Sequence, residues 1–296
     1  MIDFKPLTIN EKGLLKPILD SRQSQICNFS FANLIIWGEH LKPSYALVDD
    51  VLILQENWDN NFFFCLPIGI KNNKKIIHLL RDYAESKGVE FVLHNVTEDV
   101  KAELETLFAH QFSYIPSRDF ADYLYQRDAL ETLSGRKLQS KRNHINQFEK
   151  RYNYSYHPFT LDDVEPCLQM HERWAMENNC GGENCSLKLE GCAVKYALHH
   201  FQELDFIGGV LQVEGKVAAF TLANSINFNT IDVNIEKALD EYKGAYTMIN
   251  KLFVKSLPEN YLYVNREEDM GEEGLRKAKL SYQPMALLQK YSVKML

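Results

Sequence analysis

Between Asn265 and Pro284 the chain reads NREEDMGEEGLRKAKLSYQP, its densest run of groups able to move protons or hold anions. Arg266, Glu267, Glu268 and Asp269 crowd the exit of an apolar, strand-like run, Tyr261 to Val264, and a Gly-bounded helix with Arg276, Lys277 and Lys279 follows before Pro284. An α/β sheet commonly places its ligand at such a strand end. Moving an acyl group from an activated ester to an amine or hydroxyl needs a proton acceptor and a donor for the oxyanion. Glu236, directly after the strand-like Thr230 to Ile235, is the leading acceptor. Glu268 and Asp269 are its rivals, and Tyr282 is a candidate proton donor to a leaving hydroxyl. Asn265, Arg266, Arg276, Lys277 and Lys279 offer a grip on a phosphate or carboxylate, Arg as a planar fork and Lys as a point charge. Arg276 and Lys279 share a helix face at i, i+3, while Lys277 turns away. The competing reading is a solvated loop: Glu236 pairs with Lys237 or Lys243, an acid caps the helix near Glu272, and Tyr282 packs as an aromatic.

A second cationic cluster lies in residues 134–151, where Arg136, Lys137, Lys141, Arg142, Lys150 and Arg151 face the single acid Glu149. Lys137, Lys141 and His144 at i, i+4 and i+7 predict one helix face, with Ile145 and Phe148 anchoring the helix elsewhere. That strip, with Arg142 and Asn146, suits the phosphates of tRNA, CoA or a lipid headgroup. An interdomain helix with solvated charges is the alternative. Cys180 and Cys185, with Cys192 and His171, lack the two-cluster spacing of structural zinc, so no metal is expected. His199 and His200 read as helix surface, and neither a Ser-His-Asp nor a P-loop arrangement is detectable.

These groups need a scaffold. A chain of 296 residues, 45% hydrophobic and 25% charged, is a globular composition. Domains commonly run to roughly 100–200 residues, so two are expected. Their spans are 1–130 and 131–296, the second including the basic helix of 134–150. No apolar run nears the roughly 18 residues of a membrane span, and Asp3, Lys5, Glu11 and Lys12 interrupt any leader, which points to the cytoplasm. Six cysteines, with Cys27, Cys65 and Cys167 single in apolar segments, agree with a reducing compartment. A net charge of −7 argues against a protein that coats nucleic acid but leaves room for a local basic site. Nothing sets the oligomeric state.

The order of elements repeats. Pro6-Leu7-Thr8 with Glu11 opens a helix through Leu15 and Ile18; Pro158-Phe159-Thr160 with Asp163 opens another through Val164 and Leu168. Hairpin strands follow in both: Tyr45 to Leu54, with a turn at Asp49-Asp50, and Phe62 to Leu66; then Phe206 to Val213 and Val217 to Asn224 around Glu214-Gly215-Lys216. Pro67-Ile68-Gly69 breaks the chain before a helix through Ile76 and Leu80. Val89 to Leu93 with His94–Asp99 matches Tyr261 to Val264 with Asn265–Asp269, and Phe112–Pro116 matches Leu280–Pro284. The landmarks recur at an offset of about 150–170 residues, which indicates two tandem copies. The first has Val96 and Thr97 where the second has Arg266 and Glu267, so the second is expected to hold the cleft and the first to be structural or to recognise the acceptor.

This element order resembles the GNAT-type acyltransferase fold, in which two parallel strands splay apart to admit the acyl donor. Lys243-Gly244-Ala245 partly matches that fold's pyrophosphate-binding helix start, an ordinary loop glycine being the alternative. Ser134 to Asn146, Ile235 to Ala238, Gly244-Ala245-Tyr246 and Asn265 to Pro284 together resemble a bacterial family of unassigned function, over nearly the whole chain. That family is grouped with the C-terminal catalytic domain of phosphatidylglycerol lysyltransferases. The resemblance implies an α/β (α+β) fold of two tandem GNAT-like domains, each a mixed, mostly antiparallel sheet with flanking helices, similar also to Fem-type peptidyltransferases. It implies transfer of an aminoacyl group from aminoacyl-tRNA to an amine or hydroxyl. A CoA-dependent N-acyltransferase is one alternative and a non-catalytic ligand-binding protein another, with no tightly bound cofactor in any case. The implied partners are tRNA and a lipid headgroup at a membrane surface. Two departures leave the acceptor and the transferred group open: the multi-span region that precedes this domain in lipid-acting members is not seen, and their lysine-recognition motifs are not clearly reproduced.

Overall fold

Both halves of the chain solve the same local problem first, how to start a helix without orphaning its amide groups. Thr8 and Glu11 form a reciprocal capping box around a 3-10 turn, Ile9–Glu11, and Thr160 and Asp163 repeat it around Leu161–Asp163. The acid accepts the Thr backbone N–H at 2.8 Å in each. The computed structural model describes residues 2–58, 61–68, 74–178 and 186–296. Gly69 and the segment Cys180–Cys185 therefore lie outside the described residues.

The first half contains β1 (Lys5–Pro6), α1 (Lys12–Ser21), α2 (Phe31–Ile36), α3 (Gly38–Leu41), β2 (Ser44–Val48), β3 (Val51–Trp58) and β4 (Asn61–Ile68). It continues through α4 (Lys74–Ser86), β5 (Val92–Val96), α5 (Glu98–Leu107) and the long β6 (Phe112–Gln126). After α6 (Arg127–Thr132) and α7 (Gln139–Arg151) come β7 (Tyr154–Pro158), α8 (Val164–Glu177), α9 (Ser186–His199), β8 (Ile207–Val213) and β9 (Lys216–Ser225). The chain closes with β10 (Thr230–Ala238), α10 (Ala245–Ser256), β11 (Tyr263–Asn265), α11 (Glu273–Leu280) and β12 (Ala286–Met295). Positive φ at Asp49 and Asp50, and again at Glu214 and Gly215, makes the tight hairpin turns that the sequence pattern calls for. One expected match fails: Leu280–Pro284 is the end of α11 and its exit, and the counterpart of β6 is β12.

Among the described residues the strands form one sheet in the order β1-β2-β3-β4-β5-β12-β6-β11-β10-β9-β8-β7. Only β4 with β5 and β10 with β11 run parallel. The last strand of the chain sits between β5 and β6, so each half receives its final strand from the other. Within the second half the alternation of strand side chains sorts neighbours to opposite faces. Leu211, Ala219, Ile231 and Val233 pack under α6, α7 and α10, while Val210, Phe220 and Leu222 pack with α8, α9 and the first half. Each fully buried Leu or Phe contributes about 1.5–3 kcal/mol. No helix among the described residues is long and apolar enough to cross a membrane.

Candidate active site where two strands part

β10 and β11 stay paired for only three positions, Thr230 with Tyr263, Ile231 with Val264 and Asp232 with Asn265. Beyond them β10 runs on to Ala238, whereas the chain after Asn265 turns away into the charged loop. At the parting, β10 carries a bulge: Val233 faces Ala223 and Ile235 faces Leu222, leaving Asn234 as an extra residue. A bulge reverses the facing of everything after it. Ile235 consequently joins the opposite core from Ile231 and Val233, and Glu236 looks out on the other side of the sheet from Asp232.

On the α10 side, Arg266 is central. Its Nη2 donates to Glu236 Oε1 at 2.7 Å, and both side chains are about nine-tenths buried, at 12% and 10% exposure. Asn250 of α10 donates to the other oxygen of Glu236 at 3.1 Å. The guanidinium lies 4.8 Å from the Tyr282 ring centre, and Lys141 Nζ lies 3.9 Å from the same ring. Burial would lower the Arg266 pKa, but the Glu236 charge holds it above its ordinary value. Burial and the neighbouring Arg266 charge push Lys141 down to about 8. Burial raises Tyr282, which stands beside Thr247. Among the described residues, Arg266 Nη1 and Asn250 Oδ1 make no hydrogen bond here. Nη1 is sealed from solvent beside Tyr282, so its spare donor capacity reaches an anion or a polarised carbonyl only when the site opens.

α7 forms the wall of this site. Gly244, with φ +96°, caps α10, and a side-chain carbon placed there would lie 3.0 Å from the His144 carbonyl oxygen. The glycine thus lets α10 and α7 touch. The expected cationic face is divided: Lys137 belongs to a 3-10 turn, Arg136–Leu138, ahead of the helix, and stays exposed with His144 and Asn146. Lys141 turns inward. Arg142 donates to the carbonyls of Leu133 and Gly135 and to Gln139, tying down the loop before the helix. Lys243 is exposed and Ala245 buried. Glu236 pairs with neither Lys237 nor Lys243; Lys237 pairs instead with Glu190 at 2.7 Å.

The charged loop itself is held from α11. Lys279 donates to the carbonyls of Arg266 and Glu268 at 2.6 and 2.5 Å, and Arg276 grips Asp269 through two nitrogens. The two share a face as their spacing predicts, and Lys277 is exposed. Burial would raise the Asp269 pKa, yet Arg276, Tyr123, the Gly271 amide and Arg118 hold it well below the usual carboxylate range. Asn265 is wholly buried and donates to Asp122 and to the Gln25 carbonyl, each at 2.7 Å.

On the opposite face lies an ionic nest that sequence reasoning missed. Lys290 of β12 reaches Asp122 at 2.5 Å, Glu268 at 3.5 Å and Cys27 Sγ at 3.6 Å. Burial opposes its charge, and Asp122 restores it above the ordinary lysine value. The same nest holds Glu267, which accepts from Asn33 at 2.8 Å and from Asn234 at 3.2 Å, and Asp232, whose Oδ1 has no partner. Burial raises both carboxyls; the Glu267 charge raises Asp232 further, and the Glu268 charge does the same for Glu267. Cys27, Asp122 and Glu268 place potential ligand atoms within 4.8 Å of one another, but Lys290 supplies the cation there. One signal was legible: Thr230, Asp232, Asn234 and Glu236 alternate with Ile231, Val233 and Ile235, a strand polar on a face that the fold buries.

The parted parallel strands and bulge of the second half, with the parallel pair β4–β5 in the first, belong to the GNAT-like acyltransferase class of fold; FemX shares it at a TM-score of 0.58 and 9% identity over 99% of this chain and 97% of that one. The family model for phosphatidylglycerol lysyltransferase, C-terminal, matches residues 20–294, and the chain belongs to that family. A conserved protein of unknown function from Bacteroides thetaiotaomicron is similar throughout, 38% identical with both chains covered in full and a TM-score of 0.95. L-PGS from Bacillus licheniformis gives a TM-score of 0.64 at 16% identity, over 95% of this chain and 90% of that one. An uncharacterized protein of Mycoplasmoides gallisepticum is 27% identical over 202 residues, 67% of this chain; the matched region spans 62% of that relative's length.

Proposed function

We propose that the protein is an aminoacyltransferase that moves an aminoacyl group from aminoacyl-tRNA to an amine or hydroxyl acceptor, using the site around Arg266. The observation that carries this reading is α7. One helix presents exposed basic groups to a phosphate backbone and sends Lys141 inward against Tyr282 and Arg266. A family named for lysyl transfer supports the same class of reaction.

In this reading Arg266 Nη1, unpartnered and preorganised by Glu236, donates to the ester carbonyl as it becomes an oxyanion. Lys141, with its lowered pKa, takes the proton of the attacking amine or hydroxyl, and the neutral Tyr282 hydroxyl protonates the leaving ribose oxygen. Glu236 and Asn250 then position the guanidinium. Arg136, Lys137 and His144 line the approach of the nucleic acid, the protein works in the cytoplasm, and no tightly bound cofactor takes part. A lipid headgroup is one acceptor compatible with the family.

The test is transfer from a pool of tRNA charged with labelled amino acids, compared with labelled acetyl-CoA. The expected result is release of label from tRNA to an added amine or to lipid vesicles, with binding that weakens steeply with salt. Turnover with acetyl-CoA and none with charged tRNA would overturn the donor assignment. Ligand binding unaffected by Lys141→Ala, with no turnover from either donor, would identify a binding protein instead.

A further inference from the structure

Away from that site, a cavity of about 610 Å³ opens between the N-terminal segment, α2, α3, β2, β3 and α9, within the range usual for small-molecule sites. Part of its wall is apolar, made by the buried Leu7, Ile35 and Ile36 with Tyr83 and Tyr196. Another part is the pleated face of the β2–β3 hairpin, where strand register decides what is presented. Ser44 stands opposite Gln55, and directly opposite side chains share one face, about 5 Å apart at Cβ. Asn57, two residues past Gln55, returns to that face, and its amide holds the Lys42 carbonyl at 2.9 Å. All four residues line the cavity. They make a strip of donors that steps outward, from the buried Gln55 amide through the half-buried Ser44 hydroxyl to the exposed Lys42 ammonium. Among the described residues the Gln55 amide nitrogen, the Ser44 hydroxyl and the Lys42 ammonium make no hydrogen bond or ion pair, and the atom of Gln55 that is shut off from solvent is its oxygen. Glu39 is the one acid among the lining residues, and it accepts from the Cys192 thiol of α9.

We infer that this cavity binds a small monocarboxylate with an apolar body, its carboxylate on the Ser44, Gln55 and Lys42 donors and its body against Leu7, Ile35 and Ile36. An ionised carboxylate only accepts, through two oxygens, so neighbouring donors with no acceptor of their own suit it, and the ammonium supplies the opposite charge. A primary amide of the same shape would set its own N–H groups against those donors. No group of this site takes part in the aminoacyl transfer proposed at Arg266, so either assignment can fail without the other.

Octanoate and octanamide are the probes, their binding to the full chain followed by ligand-observed NMR. Octanoate is expected to bind saturably and octanamide at least about tenfold more weakly, with added salt narrowing the gap. Lys42→Gln, at an exposed position, should weaken octanoate by about five- to tenfold and leave octanamide nearly unchanged, while Lys42→Arg retains binding. Ser44→Ala should weaken octanoate by about two- to fivefold, the worth of one neutral donor. Ile36→Trp should block both probes; Cys192→Phe, at an exposed position on the cavity rim, serves the same end if the first variant melts early. Absence of saturable octanoate binding would overturn the site. Octanamide binding as tightly as octanoate, or octanoate binding indifferent to both Lys42→Gln and Ser44→Ala, would overturn the role given to the donor strip.

Discussion

The two faces of the sheet at the β10–β11 parting each bury a cation among carboxylates, and they treat it differently. Lys290 reaches three acceptors, Asp122, Glu268 and Cys27, using as many bonds as an ammonium can donate. Arg266 has one carboxylate and an idle nitrogen. A closed ion cluster holds the fold in register and has nothing left for a ligand. An open one is less satisfied and available for chemistry. Lys290 also comes from the strand that crosses between the halves, so the closed cluster fastens the second half's last strand to Asp122 of β6 and Cys27 of the first half. Arg266, by contrast, sits among Lys141 of α7, Asn250 of α10, Tyr125 of β6 and Tyr282.

The largest effect should come from opening the closed cluster. Lys290→Met leaves Asp122 buried without its cation and should cost about 3–5 kcal/mol, read as a lower urea midpoint. Adding Asp122→Leu should recover a good part of that, since a buried pair replaced together is far less damaging than one partner removed. If Lys290→Met unfolds no earlier than wild type, the closed-cluster account fails. On the open side the loss should appear in rate. Lys141→Ala should lower kcat/KM by about 10²-fold or more while the urea midpoint barely moves. Lys141→Arg should stay equally slow, because it keeps the charge but does not titrate near neutrality. With wild type the rate should rise with pH to a plateau above about 8, as the neutral amine is the acting form. A rate flat from pH 6 to 9 would remove Lys141 as the proton acceptor.

Within the nest, Asp122 and Asp232 are predicted to behave oppositely. Against its burial, Lys290 and Asn265 depress Asp122, so its contribution is present above the unfolded carboxylate value of about 3.9 and is lost as pH falls. Burial and Glu267 raise Asp232, so its contribution is present below that value and is lost as pH rises toward the folded pKa. Asp122→Asn should therefore destabilise at pH 7. Asp232→Asn should change stability by no more than about 1 kcal/mol at pH 5 and be the more stable protein at pH 8. Urea unfolding at the two pH values checks this, and a parallel loss in both variants would show that the carboxyls are alike.

Much of this was legible beforehand, and the illegible part has a definite cause. Capping boxes, hairpin turns and the repeat are local, so Thr8, Asp50 and Gly215 announce themselves. The crowded loop Arg266–Asp269 coincides with the buried charge at the β10–β11 parting, and the cationic run falls on α7 and the turn before it. Which partner each group takes was not readable, because it depends on a single extra residue. The Asn234 bulge sends Glu236 to Arg266 and leaves Asp232 with Glu267, and regular alternation would have put the two acids together. Lys290 escaped notice because its neighbours in sequence are those of an ordinary edge-like strand; only the placement of β12 between β5 and β6 buries it.

A substitution at Gly244 separates the open cluster from the anion site that a glycine before α10 brings to mind. Gly244→Ala places a side chain at φ +96° and 3.0 Å from the His144 carbonyl, costing about 1–2 kcal/mol through backbone strain. The same carbon pushes α7 outward. Since Lys141 reaches Tyr282 only because α7 lies against α10, a displacement of even about 1 Å should reduce the rate by up to 10²-fold. The loss should fall on kcat with charged tRNA, leaving tRNA affinity nearly intact because Lys137 and His144 remain exposed. A loss confined to acetyl-CoA binding would mean that Gly244 cradles a pyrophosphate. Rate and stability falling in strict proportion would mean that the helix contact serves the fold alone.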